Sequence, residues 1–228
     1  MRESKALAKF PLEEVVKTSR FGIWISMFIT WVLTGCIVVF ILLMPGFVGG
    51  VLGFSPFETT YFQMGGLVCI VSSCWLTGRL ADKHNPSTLC ILFSAGFAVS
   101  SVAFFSLLYT AAPVVSEVVL AYFATCFFAG IMNFCPIFMC DVFPARIRFS
   151  GISFAYNIAY ALSGAFTPQL SFALHAYAKT HPDTLGAMGL SAYIVFLALV
   201  SIGTALAMRR VYKNGGAAVS QMEFRPAP

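Results

Sequence analysis

The sequence predicts an all-α integral membrane protein with six transmembrane helices, and three observations carry that prediction. Of its 228 residues, 59% are hydrophobic and only 10% charged, with a mean hydropathy of +0.85. Ordinary soluble domains carry about 25% charged residues. The chain also offers six apolar windows, each of at least the roughly 20 residues that a helix needs to cross the hydrocarbon core. Finally, when those windows are threaded alternately, 13 of the 14 Lys and Arg residues fall on one side.

Taken in order, residues 1–20 form a polar segment in which Arg2, Lys5, Lys9, Lys17 and Arg20 oppose Glu3, Glu13 and Glu14. Within it, PLEEVVKTS reads as a short amphipathic helix opened by Pro11 and lying on the membrane surface, or as a solvated tail. Nothing before Arg20 has the short apolar region and cleavage site of a signal peptide. The first span covers about 21–44 and is expected to end at Pro45-Gly46, with the Gly-rich stretch 47–57 as an outer loop. The second, about 59–80, meets Asp82 and Lys83 at once; the third, about 86–109, opens at Pro86. The fourth covers about 113–139, with Pro136 as an expected bend. The fifth covers about 150–174 and leads to a polar loop carrying His175, Lys179, His181 and Asp183. The sixth, about 185–208, is stopped by Arg209, Arg210 and Lys213, and 211–228 reads as a disordered tail.

The positive-inside rule places the side rich in Lys and Arg in the cytoplasm. Both termini and the turns around Lys83 and Arg146 are therefore expected inside a cell (plasma or inner) membrane, with Lys179 alone outside. The net charge of +5 follows from this asymmetry and gives no reason to expect a nucleic-acid partner. None of the seven cysteines has zinc-site spacing, and they read as small apolar residues. No metal and no cofactor is expected. A membrane enzyme would need acids, histidines or a nucleophile converging at membrane depth. His84 falls on one side of the membrane and His175 and His181 on the other, so an enzyme is not expected.

Ionisable residues within spans would be functional candidates, but here Glu58 and Glu117 sit at outer helix starts, where a carboxylate suits the positive end of the helix dipole. The deep polar residues are neutral. Tyr156, Asn157, Asn133, Gln63 and Thr34 are the candidates for lining a substrate path; the alternative for each is a hydrogen bond to a neighbouring helix. Gly96, Gly130 and Gly203, each followed four residues later by a second position, suggest close helix packing.

Two stretches resemble a known family. GRLADK, from Gly78 through Asp82 and Lys83, resembles the first part of the cytoplasmic loop motif of the major facilitator superfamily; Asn85, Pro86 and Ser87 stand where its Gly and basic pair belong. Cys140–Pro168, with Asp141, Phe143-Pro144, Arg146, Arg148, Gly151, Tyr156-Asn157 and Ser163-Gly164, resembles helix 11 and its preceding loop in the metabolite:proton symporter branch. That branch includes permeases for proline and betaine, α-ketoglutarate, citrate and shikimate. PLEEVVKTS is similar to the loop between the family's halves. The resemblance implies the C-terminal six-helix half of a twelve-helix transporter, with substrate held between the halves near the midplane. It further implies that Gly78, Asp82, Lys83, Asp141, Arg146, Arg148 and Gly151 are inner-gate residues and that proton-coupling groups lie largely in the other half. The expected partners are the bilayer, a small organic acid, amino acid or betaine, protons, and a separate N-terminal half or a second copy. A remnant that no longer transports is the competing expectation.

Overall fold

The computed structural model describes residues 11–110, 112–181 and 184–213, and every regular element among them is helical. α1 (Pro11–Thr18) is helical and buries Val15 against the bundle. α2 (Arg20–Cys36) runs through a π-helical segment, Ile37–Leu43, into α3 (Met44–Leu52). α4 (Pro56–Ala81) starts on a reciprocal capping box between Ser55 and Glu58, the carboxylate accepting from the Ser55 backbone N–H at 2.8 Å. α5 (Pro86–Leu108) is capped by Asn85, with Pro86 in its first turn as expected. α6 (Val115–Phe128), a 3₁₀ turn at Ala129–Asn133 and α7 (Phe134–Val142) form the fourth span. α8 (Arg148–Thr180) and α9 (Thr184–Lys213) complete the bundle.

Among the described residues, five helical spans are long and apolar enough to cross a membrane. α8 is the long helix left over. It is 33 residues long but lies outside that set, because Ser, Asn, Tyr, Gln and His dilute its apolar residues.

Three expected boundaries are corrected. The first span does not stop at Pro45: the widened π turn precedes it and places the ring in the first turn of α3, where its missing N–H is tolerated. The helix therefore reaches Leu52, so most of 47–57 is helical, and Gly53 supplies the left-handed C-cap at φ 70°. α8 continues two turns past 174, so His175 and Lys179 are helical rather than in a loop. α9 continues to Lys213; the tail beyond it, residues 1–10 and Asp183 lie outside the described residues. The irregularity expected at Pro136 falls just before it, in the 3₁₀ turn.

Packing is organised around α2, which touches α7, α8 and α9, while α5 and α9 pair along their length and α4 packs on α6 and the 3₁₀ turn. One core cluster gathers Phe40, Phe97, Phe104, Phe105 and Tyr122, with Phe62 stacked on Tyr122 at 4.0 Å. The other lies at the end rich in basic residues, around Ile25, Phe138, Phe143 and Met208. Of the three glycines expected at close contacts, Gly130 makes the tightest. A Cβ there would clash with Ser73 Oγ and sit 3.3 Å from the Ser73 carbonyl carbon. Ser73 Oγ is buried without a partner. Gly130→Ala is therefore expected to cost about 1–3 kcal/mol, and adding Ser73→Gly should restore most of it. Ser73→Ala alone should be no less stable than the parent, since it removes an unsatisfied hydroxyl. Thermal denaturation of the detergent-purified variants at one heating rate checks all three.

Candidate substrate-path face and inner gate

The sequence of α8 repeats a small residue every fourth position: Gly151, Ala155, Ala159, Ser163, Thr167 and Ser171 are all buried. Small residues at this spacing let helices approach closely, and this stripe seats α8 on α2 and α9. The opposite face bears Asn157, Tyr160 and Gln169, all exposed. Tyr156, half-buried beside them, stacks on Tyr160 with ring centroids 5.5 Å apart. Asn157 donates at 2.7 Å to the Ser153 carbonyl of its own helix. Tyr156 and Asn157 thus share one polar surface.

The other expected path residues lie elsewhere. Thr34 is buried and its hydroxyl donates to the Thr30 carbonyl at 2.9 Å. The Asn133 amide donates to the Cys74 carbonyl at 3.2 Å and to Thr77 Oγ1 at 3.3 Å, tying the 3₁₀ turn to α4 beside Gly78. The Gln63 amide donates at 2.8 Å to the Ile41 carbonyl in the π segment. Gln63 and Thr77 are separated by fourteen residues of α4, or about 21 Å of helix. The five residues do not converge on one site.

A polar chain that the sequence reading overlooked runs through the middle of the bundle. Trp31 Nε1 donates to Tyr193 Oη at 3.4 Å, Tyr193 Oη meets Thr167 Oγ1 at 2.7 Å, and Thr167 meets Ser163 Oγ at 3.3 Å. It joins α2, α8 and α9 with hydroxyls that satisfy one another. The period-four spacing in α8 was its visible signal.

The gate candidates share the basic end. Asp82 and Lys83 follow α4 with exposed side chains; the Asp82 backbone N–H continues the helix to the Gly78 carbonyl at 3.2 Å. Asp141 accepts a short hydrogen bond from Tyr212 Oη, linking α7 to the end of α9. Arg148 Nε donates to the Phe143 carbonyl at 3.1 Å, and the Ile147 N–H closes a turn on the Pro144 carbonyl at 3.1 Å, carrying Arg146 between them. Gly151 is a seat: a Cβ there would lie 2.6 Å from the Phe143 ring, and the corresponding point on Gly22 lies 2.9 Å from the same ring edge. At the far end, His175 stacks on Phe47 at 4.0 Å and hydrogen-bonds Tyr109 Oη at 2.5 Å, while Lys179 Nζ lies against Gly50. Among the described residues no group of three His, Cys, Asp or Glu could hold a metal.

A helical bundle whose apolar spans enclose a chain of hydrogen-bonded hydroxyls, with basic residues gathered at one end, defines a multi-pass membrane protein. The sequence model of the Major Facilitator Superfamily matches residues 2–168, and the chain belongs to that family. It is a membrane transporter of the superfamily, whose members are transporters rather than enzymes. Neither curated proteins nor solved structures gave a match.

Proposed function

We propose that this chain forms one six-helix wall of a secondary active transporter that moves a small organic acid, amino acid or betaine, with proton coupling, across a cell membrane. The observation that carries this is the outward face of α8. Asn157, Tyr160 and Gln169 are exposed in the middle of a membrane-length helix, and polar groups at that depth face protein or a water-filled cavity, not lipid. The cavity is completed by a second six-helix unit of the same family, either an N-terminal half or another copy of this chain. The family resemblance of Cys140–Pro168 supports the substrate class. Glu58, Glu117, Asp82 and Asp141 lie at helix ends, and among the described residues no carboxylate occupies a mid-span position; the titrating group then belongs to the facing unit. The gathering of basic residues supports a cytoplasmic position for that end.

The test is accessibility. In a Cys140→Ser background, Asn157→Cys should react in membranes with a charged, water-soluble thiol reagent, whereas Val99→Cys, on the exposed apolar face of α5, should not. Protection of Asn157→Cys from that reagent would overturn the cavity. Uptake of labelled betaine and organic acids, by the chain with and without an N-terminal half, distinguishes the two identities of the facing unit.

A further inference from the structure

A groove runs between α2 and α9 at the basic end, and no residue of α8 lines it. Phe21, Trp24 and Phe28 form one side, and Val200, Gly203, Thr204 and Ala207 the other. Its volume is about 390 Å³. The walls are apolar throughout, because the Thr204 hydroxyl is turned away to donate to the Val200 carbonyl at 2.7 Å. Gly203 is what opens it: a Cβ at that position would meet nothing within 4 Å. Trp24 and Phe28 stack at 5.8 Å and are 58% and 46% exposed, so a rigid aromatic ledge faces outward.

The helix periodicity supplies the second element. Arg20 precedes Trp24 by four residues, and Arg210 follows Ala207 by three, so each continues its groove face by one turn. α2 begins and α9 ends at this same end, so Arg20 and Arg210 stand about one turn beyond the groove lining on their two helices. Both are exposed, and neither has a carboxylate partner among the described residues. An apolar slot capped by two unpaired cations is complementary to one amphiphile: a chain of methylenes ending in a phosphate.

We propose that this groove is a binding site for an anionic phospholipid, one acyl chain lying against Trp24, Phe28 and Gly203 and the headgroup phosphate held between Arg20 and Arg210. Clusters of basic residues beside a membrane span attract anionic headgroups, and arginine offers a planar fork of donors to phosphate oxygens. The acyl chain gives the site its place along the helices, and the arginines give it its preference for charge.

Trp24 is the reporter. The purified protein is reconstituted in phosphatidylcholine with increasing fractions of brominated phosphatidylglycerol, and separately with brominated phosphatidylcholine, and tryptophan quenching is recorded. The Trp24→Phe variant identifies the component due to Trp24. That component should be half-quenched at a fraction of phosphatidylglycerol roughly thirtyfold lower than of phosphatidylcholine, the size expected of two basic groups at an anionic headgroup. Arg20→Gln/Arg210→Gln should remove the preference while leaving unselective quenching, and Gly203→Leu should weaken quenching by both lipids. Equal quenching by the two lipids in the parent would overturn the proposal, as would a preference that survives the double arginine substitution. Quenching of Trp24 by neither lipid would show that a protein segment fills the groove, and would overturn it equally.

Discussion

Phe143→Ala should be the most damaging single truncation at the inner end of the bundle, with a loss of about 3–5 kcal/mol. Phe143 is fully buried between Gly22 on α2 and Gly151 on α8, and it lies immediately before Pro144, where the chain leaves α7. The ring fills the space that two absent side chains create, so its removal leaves a cavity that neither backbone can close without moving a helix. The converse change acts on the same seat. Gly151→Val places branched atoms where a bare Cβ already lies 2.6 Å from the ring, and should eject it. Thermal denaturation of purified protein reads the stability loss. A second readout separates this seat from generic destabilisation: the Phe143 carbonyl receives the Arg148 guanidinium, so the Arg146–Arg148 turn should become more sensitive to trypsin in Phe143→Ala than in Gly130→Ala at matched stability. Wild-type stability for Phe143→Ala would refute the seat.

Much of the fold was legible because membrane helices announce themselves by length and lack of charge. Pro86 marked a true start because proline suits a first turn. Pro45 misled for the same physical reason: a residue that usually ends a helix can also restart one, and whether it does depends on donors supplied by other helices. His175 and Lys179 read as loop residues because they are polar, yet Phe47, Tyr109 and Gly50 accommodate them within α8. The candidate site was legible in part. Tyr156 and Asn157 share an outward face that helical periodicity alone would place together. Asn133 and Gln63 are also deep and polar, but each is held by a carbonyl on a distant helix, and the sequence contains no record of which carbonyl. The Trp31–Tyr193–Thr167–Ser163 chain was hidden because each member is individually ordinary; only the period-four stripe in α8 hints at it.

The π segment allows the sharpest test of how this bundle satisfies its backbone. Pro45 has no N–H to offer, so the Phe40 carbonyl, its partner in the π register that the Met44 N–H to Val39 carbonyl bond sets, needs a donor from outside the helix, and the Ile41 carbonyl loses the same partner in an α register. Tyr122 Oη donates to the first at 2.9 Å and Gln63 Nε2 to the second at 2.8 Å. Tyr122→Phe and Gln63→Leu each strand a carbonyl in an apolar interior, at about 1–2 kcal/mol apiece on the scale of interhelical hydrogen bonds in membranes, and the double variant should lose roughly 2–4 kcal/mol. Pro45→Ala returns one N–H to this turn. Introduced into the double variant, it should recover a substantial part of the loss, because the helix can then satisfy one of its own carbonyls. Introduced into the parent, it competes with side chains already in place and should change little. The coupling between position 45 and positions 63 and 122 is therefore the quantity to measure, by a thermodynamic cycle on melting of the purified protein. Strict additivity would mean that Tyr122 and Gln63 stabilise the bundle only by packing, and that the two carbonyls are satisfied by other means.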